Sequence, residues 1–103
     1  MKAEPRTTHR EIPLVLLGGT DPVALQLLAR TMRQEGMGVA GALGDRACLR
    51  VASALRPDII LLDPRLPGAL LNLLRAHPLS KSAQISWSEA LAHPAGIANQ
   101  LPK

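Results

Sequence analysis

Aromatic residues are almost absent from this chain, which has one tryptophan and no phenylalanine or tyrosine among its 103 residues. The core must therefore be aliphatic. Because nucleobases stack on aromatic side chains, the 12 scattered lysines and arginines, set against 8 acids, do not by themselves indicate a nucleic-acid surface. We expect Trp87 to pack in the core or at an interface.

Cysteines and long apolar runs are scarce as well. The single cysteine, Cys48, excludes an internal disulfide and is expected to be a small core residue. No apolar run approaches the roughly 20 residues that span a bilayer, and the polar start does not have the pattern of a signal peptide. These features favour a cytoplasmic protein.

Strands and helices are predicted to alternate after a polar leader. Residues 1–11 follow neither the helical nor the strand period, so we expect a flexible leader there and one domain over 12–103. The first and third predicted strands are short runs of leucine, valine and isoleucine, which is typical of strands buried on both faces. The five predicted strands lie at 14–17, 37–43, 59–62, 84–87 and 99–101.

Helices are predicted between these strands. Asp21 is expected to cap the first helix and Gly36 to close it. Asp45 is expected to cap a second helix, which ends near Arg56 because a proline follows. A third helix and a short turn are predicted over 69–76 and 89–92. This alternation implies βαβ units and an α/β fold with a parallel sheet.

A parallel sheet places its reactive site at the carboxyl ends of the strands. Two loops qualify here, at 18–21 after the first strand and at 63–65 after the third. Asp63 ends a buried strand, and we expect no cation nearby in the sequence to pair with it. This carboxylate is a candidate nucleophile or metal ligand, and a loop-capping aspartate is the alternative.

The segment 58–68, with the sequence DIILLDPRLPG, resembles the third strand and following loop of bacterial response-regulator receiver domains. That family has an apolar strand, a phosphoacceptor aspartate and a hydrophobic-Pro-Gly turn at this place. Residues 15–22 resemble the family's first strand and acidic loop, and 96–103 resembles the segment that ends in its lysine. The resemblance covers about 12–103 and is specific in the first half.

The resemblance implies a flavodoxin-like, doubly wound parallel sheet. The short segment after the third helix departs from the family and predicts a shortened C-terminal half that lacks the last helix. It also implies that Asp63 accepts a phosphoryl group with the help of Mg²⁺. Ser86 and Ser88 are the candidates for the hydroxyl that follows the phosphoryl group, and Lys103 for the lysine that pairs with it. The implied metal ligands are Asp21, Asp63 and the backbone carbonyl of Arg65.

The chain departs from the family at its metal site. The two adjacent acids of the family fall on Gly19 and Thr20, which carry no carboxylate, and Asp21 is one place further along. The sequence therefore predicts a pseudo-receiver that is not an enzyme, in which phosphorylation of Asp63 is impaired and the domain acts through protein contact.

The resemblance implies a histidine kinase, an effector domain or a second copy of the chain as partner. A homodimer is expected because a shortened second half leaves apolar surface to cover. We expect the protein to bind nucleic acid only if an attached domain does so.

A phosphate- or nucleotide-binding α/β protein is the alternative reading. Gly18 and Gly19 lie between a strand and a helix, where phosphate can approach a helix N-terminus. Against it, neither a dinucleotide fingerprint nor a P-loop lysine is present, and Asp21 would repel phosphate.

Overall fold

The computed structural model describes residues 12–77 and 83–92, which form a parallel sheet with helices on both faces. The elements are β1 (Leu14–Gly19), α1 (Pro22–Gln34), β2 (Gly38–Leu43), α2 (Asp45–Leu55), β3 (Ile59–Leu62), α3 (Gly68–Ala76), β4 (Gln84–Trp87) and a 3₁₀ turn (Glu89–Leu91).

The four strands lie in the order β2-β1-β3-β4, and every neighbouring pair is parallel. This arrangement confirms the predicted α/β fold with its doubly wound sheet. The leader at 1–11 and the strand expected at 99–101 lie outside the described residues. In the part of the chain that is described, no helix has the length and apolar character needed to cross a membrane.

β1 is longer than predicted. The apolar run was expected to end at two glycines, but Gly18 and Gly19 continue the strand and pair with Ala42 and Leu43 of β2. Gly18 also pairs with Leu62 of β3, so it lies inside the ladder and not in a loop. The loop after β1 therefore begins at Thr20.

The helix ends agree with the sequence at α1 and differ at α2. The side chain of Asp21 accepts a hydrogen bond of 2.9 Å from the backbone N–H of Val23, as an N-cap should. Gly36 follows α1 with φ +92°, which confirms its predicted closing role. The predicted cap at Asp45 is wrong, because Gly44 is the N-cap and Asp45 is the first helical residue.

Two apolar clusters lie on opposite faces of the sheet. One is formed with α2 and α3, the other with α1 and the 3₁₀ turn. Cys48 is fully buried in the first cluster, which confirms the predicted small core residue. The buried members of the first are Leu16, Ala42, Cys48, Ala52, Ile60, Leu62, Leu66, Leu70 and Leu74, and those of the second are Val15, Leu17, Ala29 and Leu91.

Gly18 is required by the packing below the carboxyl edge of the sheet. A Cβ at this position would collide with the Sγ of Cys48 and lie 2.9 Å from a methyl group of Leu62. Both neighbours are fully buried, so neither has open space to move into. The absence of a side chain at Gly18 lets α2 approach β1 closely.

We predict that Gly18→Ala lowers the free energy of unfolding by about 2 kcal/mol, the usual cost of overpacking a core. Gly68→Ala is the matched control, because a Cβ at Gly68 meets nothing within 4 Å. Urea denaturation followed by circular dichroism measures both variants. Equal stability of the two variants would contradict the assigned packing.

Candidate functional site

Asp63 directly follows β3 and is fully buried. Its backbone N–H donates a 2.8 Å hydrogen bond to the carbonyl of Gly18, and its carbonyl accepts one of 2.9 Å from Leu66. The end of β3 and the start of the next loop are thereby held against β1. The carboxylate of Asp63 has a defined position at the carboxyl edge of the sheet, where the sequence analysis expected the site.

Four donor groups contact this carboxylate. The hydroxyl of Thr20 donates to Oδ2 at 2.7 Å, and the backbone N–H of Arg65 donates to Oδ1 at 2.8 Å. The Arg65 guanidinium adds Nη2 to Oδ2 at 2.9 Å and Nε to Oδ1 and Oδ2 at 3.2 and 3.3 Å. Because a carboxylate has about four lone-pair sites, these donors use its full capacity.

The charges of Asp63 and Arg65 stabilise each other. Burial by itself would raise the pKa of Asp63, but hydrogen bonds from Arg65 and Thr20 outweigh it and lower that pKa from 3.8 to about 2. The side-chain hydrogen bonds to Asp63 and the negative charges of Asp63 and Asp21 raise the pKa of Arg65. The site therefore holds an anion and its own internal cation.

The side chain of Arg65 was missed by sequence reasoning. The expectation that no cation nearby in the sequence pairs with Asp63 is wrong, since Arg65 is only two residues away. An aspartate often accepts a hydrogen bond from the backbone N–H two residues later, and this turn brings the following side chain back toward the carboxylate. The Asp-Pro-Arg triplet was the available signal.

Leu25 packs against the backbone of Gly19. A Cβ at Gly19 would lie 3.2 Å from a methyl group of Leu25, and a Cβ at Gly41 would lie 2.9 Å from another. Leu25 thus fills the space beside two strands that larger residues would occupy. Thr20 is exposed next to this packed region and turns its hydroxyl toward Asp63.

The residues around the Asp63 carboxylate do not form a suitable site for Mg²⁺. This ion needs an octahedral set of oxygen ligands, including one or two carboxylates. Asp63 presents its oxygens to a guanidinium, which would repel a cation, and an oxygen of Asp21 is used to cap α1. Over 12–77 and 83–92, no group of three histidine, cysteine, aspartate or glutamate side chains is suited to a metal ion.

The strand register places the two candidate serines at different positions relative to Asp63. Ser86 is exposed in β4 opposite Leu61, whereas Ser88 follows Trp87, whose partner is Leu62. Ser88 therefore lies in the same row of the sheet as Asp63, and its N–H donates a 2.7 Å hydrogen bond to the carbonyl of Leu62. The lysine candidate, Lys103, lies outside the described residues.

The glycine pair expected to form a phosphate-binding loop does not form a loop. Gly18 and Gly19 are buried strand residues, and the carbonyl of Gly19 accepts a 2.9 Å hydrogen bond from Gly44. Asp21 stands at the N-terminus of α1 and Pro22 supplies no amide donor there. This geometry removes the observation on which the alternative reading depended.

We predict an acid-sensitive contribution of Asp63 to stability. Its folded pKa is lower than the unfolded value, so the contribution is complete above about pH 4 and is lost as pH falls toward 2. At neutral pH Arg65→Ala should lower the free energy of unfolding, by an amount that solvent screening reduces because the arginine side chain is 52% exposed.

Denaturation curves between pH 2 and pH 7 measure this effect. The loss of stability caused by Arg65→Ala should vanish at the acidic end of this range. Arg75→Ala is the control, because Arg75 is an exposed arginine in the last turn of α3. Parallel pH profiles for wild type and Arg65→Ala would contradict the prediction.

The fold is similar to solved receiver domains. The chemotaxis response regulator CheY4 of Vibrio cholerae superimposes with a TM-score of 0.68 at 22% identity, covering 74% of this chain and 67% of its own. A CheY-like receiver domain from Methylobacillus flagellatus gives 0.69 at 20% identity, covering 75% and 69%. The N-terminal domain of a response regulator receiver protein from Methanoculleus marisnigri gives 0.69 at 18% identity, covering 84% and 79%.

The sequence itself matches no family model and no curated protein. The structural likeness agrees with the strand order β2-β1-β3-β4. The chain has the fold of a response-regulator receiver domain.

Proposed function

We propose that this chain is a signalling domain of the receiver fold that acts through contacts with other proteins, and in which phosphorylation of Asp63 is impaired. The supporting observation is the set of four donors, three of them from Arg65, that covers both oxygens of the buried carboxylate. The fold supports a signalling receiver role, and the donor set is where this chain departs from phosphotransfer.

The chemistry of phosphorylation conflicts with this donor set. Attack by Asp63 would form a bond between one carboxylate oxygen and phosphorus, while the donor's leaving group departs with the electron pair of its old bond. That oxygen must first lose its hydrogen bonds from Thr20 or Arg65. A carboxylate stabilised this strongly in its ionised form is also a weaker nucleophile.

The positive charge of Arg65 stabilises Asp63 before the reaction begins and not the transition state of phosphoryl transfer. In phosphoryl transfer, a cation lowers the barrier when it stabilises charge that develops on the phosphoryl oxygens. Here the guanidinium already neutralises Asp63 before any donor arrives. With Gly19 and Thr20 in the place of two acids, the loop after β1 offers only the carboxylate of Asp21, one oxygen of which caps α1.

The partners follow from the same proposal. A histidine kinase, an effector domain or a second copy of the chain would recognise the folded surface, and nucleic acid would be reached only through an attached domain. A cytoplasmic location, a homodimer and the absence of catalysis belong to this proposal. Asp63 and Arg65 then serve to hold the loop after β3 in one conformation.

Phosphorylation by acetyl phosphate with Mg²⁺ tests the impairment. We expect intact-mass spectra of the wild type to show no added phosphoryl group, and beryllofluoride to leave the fluorescence of Trp87 unchanged. Asp63→Ala sets the background level. An adduct on the wild type that Asp63→Ala abolishes would contradict the proposal.

A double variant tests whether Arg65 and the missing acid cause the proposed impairment of phosphorylation. Thr20→Asp combined with Arg65→Ala removes the internal cation and adds an acid at an exposed position that leaves Leu25 in place. We expect Mg²⁺-dependent phosphorylation to appear in this variant and to disappear when Asp63→Ala is added. A gain that persists without Asp63 would show that another residue reacts.

A further inference from the structure

β2 lies at one end of the strand order and has β1 as its neighbour. The backbone N–H of Gly44, just after this strand, donates a 2.9 Å hydrogen bond to the carbonyl of Gly19. Backbone groups alternate in direction along a strand, so the even-numbered residues of β2 face β1. The outer edge of β2 consists of the odd-numbered residues, whose N–H and C=O groups face away from β1: Val39, Gly41 and Leu43.

Arg33 of α1 stands beside the outer edge of β2. Its Nη2 donates a 3.2 Å hydrogen bond to the carbonyl of Val39. The residue is exposed, and α1 carries a second arginine, Arg30, but no acidic residue. A hydrogen bond from a guanidinium to a carboxylate is shorter and stronger than one to a neutral carbonyl. An acidic side chain brought to this edge would therefore be the preferred partner of Arg33.

Gly41 leaves an apolar gap in the same edge. It is exposed, and a Cβ built there would lie 2.9 Å from Cδ2 and 3.4 Å from Cγ of Leu25, so Leu25 takes the place of the missing side chain. Leu43, on the same side of β2, is 47% exposed. A large apolar side chain on an adjacent strand would cover the glycine and remove the surface of Leu25 from water.

Arg33 and Gly41 together specify a spacing. Val39 packs on the α1 side of the sheet, and Gly41 is two residues further along, about 7 Å away on that side. In an antiparallel pair, opposite residues point their side chains to the same side. The strand that fits therefore has a large apolar residue opposite Gly41 and, two positions later in its sequence, an acidic residue opposite Val39.

The chain itself contains no extended segment with this spacing. A large apolar residue precedes an acid by two positions at three places: Leu43 with Asp45, Leu61 with Asp63, and Trp87 with Glu89. Asp45 is helical, Asp63 is fully buried and Glu89 lies in the 3₁₀ turn. Glu4 and Glu11, the two acids outside the described residues, follow Lys2 and His9 at this spacing. A second copy of the chain therefore does not supply both side chains.

We infer that the outer edge of β2 binds an extended segment of another protein, antiparallel to β2, in which a large apolar residue is followed two positions later by an acid. Gly41 exchanges two backbone hydrogen bonds with the apolar residue, whose side chain packs on Leu25. Arg33 binds the acid. The inference rests on the proposed function in one respect, because it names the kind of protein segment that this signalling domain contacts.

Titration of the full chain with a synthetic peptide tests this inference. The probe TVTWTET, blocked at both ends, sets its tryptophan opposite Gly41 and its glutamate opposite Val39. We expect NMR amide shifts at Gly41 and Leu43 that saturate as the probe is added to about 5 mM, a range that covers weak binding.

A control peptide, TVTWETT, tests the spacing. It has the same composition as the probe, but its glutamate is one position earlier and points to the other side of the sheet, away from Arg33. We expect the control to bind about three- to fivefold more weakly, as the loss of an exposed ion pair predicts.

Two arginine variants test whether Arg33 causes this difference. Arg33→Gln keeps a donor for the carbonyl of Val39 but has no charge, so it should bind the two peptides equally. Arg75→Gln, the same change at an exposed arginine of α3, should keep the preference of the wild type. Circular dichroism checks that both variants are folded.

Any of four results would overturn the inference. They are the absence of shifts at Gly41 and Leu43, equal affinity of the wild type for the two peptides, a preference that survives in Arg33→Gln, and slow hydrogen exchange of the Gly41 and Leu43 amides in the free protein. The last result would mean that the chain or a second copy already covers this edge. None of them bears on the reactivity of Asp63, so the phosphorylation test succeeds or fails independently.

Discussion

The ion pair between Asp63 and Arg65 fixes the carboxyl edge of the sheet. A buried carboxylate without donors would be costly, and this one receives its charge partner from two residues away and a hydroxyl from Thr20. The same aspartate binds β1 through its backbone N–H. The loop after β3 and the loop after β1 are therefore joined at one residue.

Under the proposed function, this chain keeps the receiver fold while phosphoryl transfer to Asp63 is impaired. The receiver fold needs a parallel sheet and helices on both faces, and aliphatic residues with closely packed glycines supply these here. Phosphoryl transfer needs a carboxylate that is free to attack and a metal ion held by neighbouring acids. The oxygens of Asp63 instead accept hydrogen bonds from Thr20 and Arg65, and the proposed impairment rests on this difference.

Much of the fold was readable from the sequence because it depends on local patterns. The strands at Ile59–Leu62 and Gln84–Trp87 and the ends of α1 were predicted from apolar runs and capping residues, whereas the cap of α2 was misplaced by one residue. The extension of β1 through Gly18 was missed, because a glycine pair looks like a loop until its partner strands are known.

The site was only half predictable for a related reason. Position in the sheet identified Asp63, but a side chain's partners depend on how a turn folds back, and the guanidinium of Arg65 was overlooked for that reason. The hydroxyl of Thr20 likewise reaches Asp63 across 43 positions of sequence. No local sequence pattern predicts such a contact, so the hydrogen bonds that surround the Asp63 carboxylate were visible only in the structure.

The most direct test of this account is the NMR resonance of the Arg65 Nε proton during a titration with Mg²⁺. If the guanidinium takes the place of a metal ion at Asp63, this resonance is hydrogen-bonded and sharp without Mg²⁺ and stays unchanged when Mg²⁺ is added. A saturable shift or loss of the resonance, absent in Asp63→Ala, would show that Mg²⁺ displaces Arg65 and would contradict the central claim.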